Sequence, residues 1–365
     1  RTRSARLPEE RLFAIGGNAS VSEVVRQLKK NETKGETMRP TPILATLAAG
    51  IVAALIANSP SANAKEFRSS DVHPMDYPTV QAVVYMGKII GEKTGGKYAV
   101  KVFGQSALGS EKDTIEQTKI GALDMVRVNV APFNNIVPST IVPSLPFLFK
   151  STAHMSKVLD GPIGAEILAA MESQGFVGLC FYDSGSRSFY SGKKAIKSVA
   201  DTKGMKIRVQ QSDMWVAMMQ AMGANATPLP YAEVYTALKT GVVDAAENNW
   251  PSYESSRHYE AAKIYSVTEH SMAPEVLVFS KKVWDGLSKD EQAIIRDAAR
   301  QSVPYMRKLW DEREASARKT VEAAGSQIVT DVDKKSFSDA MAPVYAKFAA
   351  DPKLQDLVKR IQATE

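Results

Sequence analysis

Only one cysteine, Cys180, and four histidines, His73, His154, His258 and His270, occur in 365 residues. A lone thiol cannot close an intramolecular disulfide, and no two histidines stand at the spacing of a helical zinc site. Cys180 lies in the apolar run VGLCFY and reads as a small buried hydrophobe. Phosphate loops are missing as well. GQSALGSE, residues 104–111, keeps a G-x4-G spacing but has Ser110 and Glu111 where lysine and a hydroxyl are needed. There is no G-x-G-x-x-G and no G-x-S-x-G, and the serines of DSGSRS have no base tied to them. These absences point away from metals, cofactors and nucleophilic catalysis. A two-carboxylate enzyme, which leaves no motif, is the form of catalysis they do not exclude.

Charge is uneven rather than strong. Of the net +6, nine Lys/Arg against five Asp/Glu fall in residues 1–64, leaving 37 against 35 for the rest. No basic block interleaved with aromatics appears, so nucleic acid is not an expected partner. Long apolar runs are also lacking. Ile43 to Ala57 is fifteen residues, short of the roughly 20 that cross a bilayer. Met38 and Arg39 precede this run and Ala62-Asn63-Ala64 follows it, so residues 38–64 read as a secretory signal. Residues 1–37, upstream of Met38, read as an extension outside the mature protein. The fold is expected to begin near Lys65, on the exported side, with no membrane span after signal removal. A chain of this length can bury enough core without disulfides.

What is present alternates short apolar runs with helical periodicity, the pattern of an α/β protein. EFRSSDVHP predicts a strand entering a polar loop. YPTVQAVVYMGKIIGEKTGG predicts a helix with Val80, Val83, Val84, Gly87 and Ile90 on one side. YAVKVF is a strand, SEKDTIEQTKIG a helix with Ser110 as its N-cap, and ALDMVRVNV a strand. GLCFYDSGSRSFY, MKIRVQQ and VVDAAENNWP are further strands with polar exits. Between them run the helices SDMWVAMMQAMG and PYAEVYTALKTG. Trp215, Met218, Met219 and Met222 recur at helical spacing and read as core. Ser288 and Glu291 form a capping box opening a helix to about Ala324, which Pro304 should kink.

Polar clusters recur at the C-terminal ends of predicted strands, where α/β sheets form binding crevices. They are Asp71 to His73, Arg127 to Asn129, Ser186-Arg187, and Glu247 to Trp250. Arg208 joins them on a strand of its own, with Gln210 on the same face by period-2 alternation. Each has an ordinary reading: an ion-paired strand arginine, a solvated loop arginine, a core tryptophan, or asparagines capping a turn. Together, guanidinium groups with amides and an indole suit an anionic polyol better than they suit catalysis.

KGMKIRV, ATPLPYAEVYTALKTGVVDAAENNWP, LGSEKDTIEQTKIGALDM and PSLPFLF closely resemble the solute-binding proteins of TRAP transporters, DctP type. The resemblance runs from about Glu66 past Trp310. It implies a two-lobed α/β periplasmic binding protein that closes by hinge motion and delivers its ligand to an ion-coupled membrane permease. Lobe one would hold 65–185 and 274–313, lobe two 186–273 and 314–365, with the long kinked helix spanning both. By the same resemblance Arg208 grips the ligand carboxylate and Arg187 assists. Asn248 and Tyr231 also line the site, and Glu111, Asn129 and Gln211 contact the rest of the ligand. DVHPMDYPTVQAVVYMG, VRVNVAPFNN and ENNWPSYESSRH resemble the branch that takes hexuronates such as glucuronate and galacturonate. His73, Asp76, Arg127, Trp250 and Glu275 complete the expected ligand-binding set. Alternatives are a C4-dicarboxylate or other organic acid, an exported uronate-processing enzyme, and a receptor feeding a sensor kinase.

Overall fold

The computed structural model describes residues 64–365. The upstream extension and nearly all of the signal segment lie outside the described residues. Among the described residues eleven strands form two sheets. The first contains β1 (Lys65–Ser70), β2 (Tyr98–Phe103), β3 (Met125–Asn129), β4 (Phe176–Tyr182) and β10 (Glu275–Ser280), in the order β2-β1-β3-β10-β4. The second contains β5 (Arg187–Ser191), β6 (Lys206–Val209), β7 (Asn225–Pro228), β8 (Ala245–Asn248), β9 (Ile264–Ser271) and β11 (Gln327–Val329), in the order β11-β9-β5-β8-β6-β7.

The chain passes between sheets at residues 183–186, joining β4 to β5, and at 272–274, joining β9 to β10. A 35-residue helix, Lys289–Ala323, follows β10 and leads to β11. Its capping box is formed as expected, with Ser288 accepting from Glu291 N–H and Pro304 inside. Ile295, Ala298, Met306 and Trp310 pack in the core outside the first sheet, with Phe67, Val83 and Leu277. Val321, one helix end away, packs with Tyr190, Tyr253 and Tyr265 outside the second sheet. A mixed α/β, two-lobed architecture with a shared long helix is therefore observed.

Local chemistry explains the elements that carry the site. Helix Pro78–Lys93 starts on a proline and buries Val80, Val83, Gly87 and Ile90. Val84, expected on that face, is instead exposed, because the buried stripe continues through Met86 and Ile89. Helix Glu111–Lys119 is opened by a reciprocal cap between Ser110 and Asp113, which fixes Glu111 in its first turn. The β1 exit needs Gly104: a Cβ there would lie 2.8 Å from the carbonyl of His73. The glycine lets Gln105 N–H (2.8 Å) reach that carbonyl and Ser106 N–H (3.1 Å) reach that of Asp71.

A third core runs between the sheets, from Val126, Val128 and Phe176 to Ile207, Trp215 and Met218. The Trp215 stripe is buried as predicted. One expectation is corrected here. Helix Pro352–Ala363, expected from the family resemblance to group with residues 186–273, instead contacts residues of the 65–185 stretch. Arg360 pairs with Glu166 at 2.8 Å, and the carbonyl of Ile361 lies 3.0 Å from His154 Nε2. Its apolar stripe of Leu354, Leu357, Val358 and Ile361 finds cover there, a long-range contact that local pattern cannot announce.

Candidate functional site

Strand direction gathers the polar side chains. β10 runs antiparallel to β3 with Glu275 opposite Asn129, so its first residue shares an edge with the end of β3. β5 runs antiparallel to β8 with Ser188 opposite Asn248, which brings Arg187 beside the end of β8. Arg187 thus begins a strand rather than sitting in a loop, and its backbone is held. β6 ends one residue beyond Arg208. Val72, His73, Glu111, Asn129 and Glu275 from the first side meet Arg187, Arg208, Gln210, Tyr231, Asn248 and Ser252 from the second around one cavity. Its volume is about 20 Å3, room for about one water molecule, so the two walls lie close against one another.

On the second-sheet side, Arg187 is buried and clamps Glu247, with Nε to Oε2 at 2.6 Å and Nη2 to Oε1 at 2.9 Å. Burial disfavours the Arg187 charge, but Glu247 outweighs it and raises the guanidinium above its usual range. Burial likewise acts to raise Glu247, yet Arg187 and His270 hold its carboxyl below the usual value. Arg208 differs. It is 2 % exposed, and its Nε and Nη2 donate only to the carbonyl of Leu229, at 3.1 and 2.7 Å. Among the described residues it makes no ion pair. Burial lowers its pKa, and Glu247 and Tyr190 only partly compensate. Gln210, on the same face, has a buried Nε2 with no partner among the described residues.

The first-sheet side is rich in acid. Arg127, 1 % exposed, lies behind the wall with Nε 2.6 Å from Asp71 Oδ2 and both Nη groups spent on Asp71 and Glu275. Asp71 Oδ1 also accepts His73 N–H at 2.8 Å, which shapes the β1-exit loop. Asn129 donates from Nδ2 to Glu275 Oε1 (3.0 Å) and from its backbone to Glu111 Oε1 (3.0 Å). Burial, then Glu275, pushes the Glu111 carboxyl up; Arg127, the Asn129 amide and Arg208 oppose this. His73 stacks on Tyr77 with centroids 3.8 Å apart and keeps an unpartnered buried Nδ1. Burial and the nearby Arg127 and Arg187 hold His73 far below its usual pKa, so it is neutral.

Of the expected contacts, Arg208, Arg187, Asn248, His73, Glu111, Asn129, Tyr231 and Glu275 line the cavity. Four do not. Arg127 is screened from it by the carboxylates it holds. Asp76 points outward and pairs at 3.1 Å with Arg313, which also grips Glu254. Trp250 stacks on Tyr265 at 3.7 Å, packed against the second-sheet core and off the cavity wall. Gln211 is half-buried off the wall, and its neighbour Gln210 takes the wall position. Asn249 caps helix Trp250–Ser255. Val72 and Ser252 were missed, and neither carries a sequence signal beyond proximity to the exits.

A larger groove, about 590 Å3, is lined by Leu168, Phe181 and Val303 together with Arg296, Arg300 and Arg307. Each of those arginines already has an acidic partner. No group of three or more metal-ligating side chains occurs among the described residues. No helix of the described residues is long and apolar enough to cross a membrane.

The family described as bacterial extracellular solute-binding protein, family 7 (DctP), matches residues 69–351. A solute-binding protein of Chromohalobacter salexigens is 41 % identical over 83 % of this chain and 91 % of its own length. Among solved structures, a TRAP periplasmic solute-binding protein from Bradyrhizobium sp. BTAi1 in complex with α/β-D-galacturonate is 68 % identical. It superposes with a TM-score of 0.81 over 82 % of this chain and 100 % of that one. One from Xanthobacter autotrophicus Py2 with bound β-D-galacturonate is 56 % identical, with a TM-score of 0.80 and the same coverage.

Proposed function

The chain belongs to the DctP family of TRAP solute-binding proteins, and from that premise we propose that its ligand is a monomeric hexuronate, galacturonate or glucuronate. The observation that carries this reading is Arg208, a buried guanidinium on the cavity wall with no carboxylate of its own among the described residues. Burying an uncompensated cation is costly, and a solute carboxylate would repay that cost with charge-assisted hydrogen bonds. The far wall, with Glu111, Glu275 and Asn129, offers acceptors for hydroxyl groups. An anion at one end and a polyol at the other describes a sugar acid. The galacturonate complexes of the 68 % and 56 % identical relatives support the same assignment.

In this reading the two lobes, 65–185 with 274–313 and 186–273 with most of 314–365, close around the sugar by bending at 183–186 and 272–274. The loaded receptor, in the periplasm, hands its ligand unchanged to an ion-coupled permease, and no chemistry is done on it. A thermal-shift assay on the purified protein tests the assignment. Galacturonate or glucuronate at about 100 times Kd should stabilise by about 2.7 kcal/mol, several degrees of Tm. A shift with succinate or malate and none with either uronate would move the assignment to dicarboxylates. Loss of the added uronate over hours, with a new product, would make the protein an enzyme.

A further inference from the structure

The two walls of the cavity carry opposite surpluses of charge. On the first-sheet wall, Asp71, Glu111 and Glu275 face a single guanidinium, Arg127, already bound to the first and third of them. Glu111 makes no ion pair among the described residues. Its Oε1 accepts Asn129 N–H at 3.0 Å, and no hydrogen bond to its Oε2 occurs among the described residues. It is the counterpart of Arg208: a cavity-lining charge left without its opposite. It also cannot retreat. It is the first residue of helix Glu111–Lys119, whose start is pinned by the Ser110–Asp113 cap. Burial and Glu275 push its carboxyl up, while Arg127, the Asn129 amide and Arg208 favour its anionic form, as does the helix N-terminus.

We propose that Glu111 is a specificity-determining residue that restricts the site to solutes bearing one carboxylate, turning away sugar diacids and C4-dicarboxylates. The inference rests on the hexuronate reading and deepens it. With the solute carboxylate on Arg208, the opposite end of the molecule meets Glu111 and Glu275. A hydroxyl there donates a proton to a carboxylate oxygen. A second carboxylate has no proton to donate and meets like charge in a site with little water to screen it. Specificity of this kind is repulsion against the wrong solute as much as attraction to the right one.

The test uses three related solutes on the intact protein, with affinities from calorimetry. D-Galacturonate reports on the site itself. L-Galactonate is the same carbon chain with C1 reduced to an alcohol, and galactarate has C1 oxidised to a carboxylate; both are open chains, so shape is matched. The protein should bind L-galactonate about 30-fold or more tighter than galactarate. Glu111→Gln should narrow that ratio about tenfold by tightening galactarate, a gain that misfolding cannot mimic. Glu254→Gln, an acid outside the cavity, should leave the ratio unchanged. Equal binding of L-galactonate and galactarate by the unaltered protein, or an unchanged ratio in Glu111→Gln, would overturn the filter. Galacturonate binding would still stand in that case. Failure of both D-galacturonate and D-glucuronate to bind would overturn the hexuronate reading, and the filter with it.

Discussion

At the first-sheet end of the cavity, Arg127 is surrounded by the carboxylates of Asp71 and Glu275; at the second-sheet end, Arg208 meets only the carbonyl of Leu229. Both arginines are buried, both sit mid-strand between aliphatic residues, and both are charged at neutral pH. Arg127 satisfies the protein. Arg208 is left without an ion pair among the described residues, and it lines the cavity whereas Arg127 does not. Arg187 lies between the two cases: it lines the cavity and yet has Glu247 as a full bidentate partner. A buried cation is thus no sign of a binding site. A buried cation without its anion is.

Exchanging each arginine separates the two roles, and the largest effect belongs to Arg127. Arg127→Met would strand two buried carboxylates, for which the expected loss of unfolding free energy is about 3–5 kcal/mol. Arg208→Met strands no carboxylate, so the unliganded protein should lose at most about 1 kcal/mol. Arg208→Lys, which keeps the charge but not the fork, should weaken hexuronate binding by about 2 kcal/mol, some 30-fold. Urea unfolding without ligand and calorimetry with it give both numbers. If Arg208→Met proved as destabilising as Arg127→Met, the contrast would break and Arg208 would be a structural ion.

Buried histidines around the cavity also make the site a weak point in acid. His258 is buried, its Nδ1 2.8 Å from Tyr190 Oη; burial and then the Arg208 charge push its pKa down to about 3. The unfolded chain takes up a proton on this ring below about 6.5, while the folded protein resists until about 3. Stability from this residue is therefore complete above pH 6.5 and lost progressively as pH falls through that window. Between pH 7 and pH 5 the loss should be about 2 kcal/mol from His258 alone. His73 and His270, both lowered mainly by burial, add losses of the same sign. Unfolding free energies at pH 7, 6 and 5 measure the sum, and His258→Asn should flatten the curve. A wild-type curve already flat across that range would show that the ring is not held neutral.

Sequence pattern disclosed most of the fold because its signals are local. Alternation marked the strands, Ser110 and the Ser288–Glu291 box marked helix starts, and the Trp215 stripe marked a core face. It also brought polar residues to the strand exits, where His73, Asn129, Arg187, Arg208 and Asn248 do line the cavity, whereas Glu111 and Tyr231 were expected from family likeness. What it could not disclose is which charges cancel one another. Val-Arg-Val and Ile-Arg-Val are equivalent as text, and the partners that distinguish them, Asp71 and Glu275, lie 56 and 148 residues from Arg127. Asp76 stands three residues past His73 and looks equally available, until Arg313, 237 residues on, draws it outward. Trp250 leaves the cavity wall for a related reason: its stacking partner, Tyr265, lies on β9, beyond the helix that Trp250 opens. Local signals place residues, whereas long-range pairing decides what they are left free to do.

The smallest effect tests whether alternation or family likeness is the better guide at one position. Likeness pointed to Gln211, whereas the period-2 rule put Gln210 on the face of Arg208. Gln210 lines the cavity, is 4 % exposed, and has a buried amide nitrogen with no partner among the described residues. Such a donor is costly when empty and rewarded when a ligand oxygen arrives, so Gln210→Ala should weaken hexuronate binding by about 1 kcal/mol. The same change should leave the unliganded protein no less stable, because an unsatisfied group has been removed. Gln211→Ala, off the wall, should alter affinity by less than about 0.5 kcal/mol. If the two variants exchanged these outcomes, the strand would present its other face to the solute. Arg208, two residues before Gln210 and so on the same face, would then point away from the sugar, and its missing anion would lose its meaning.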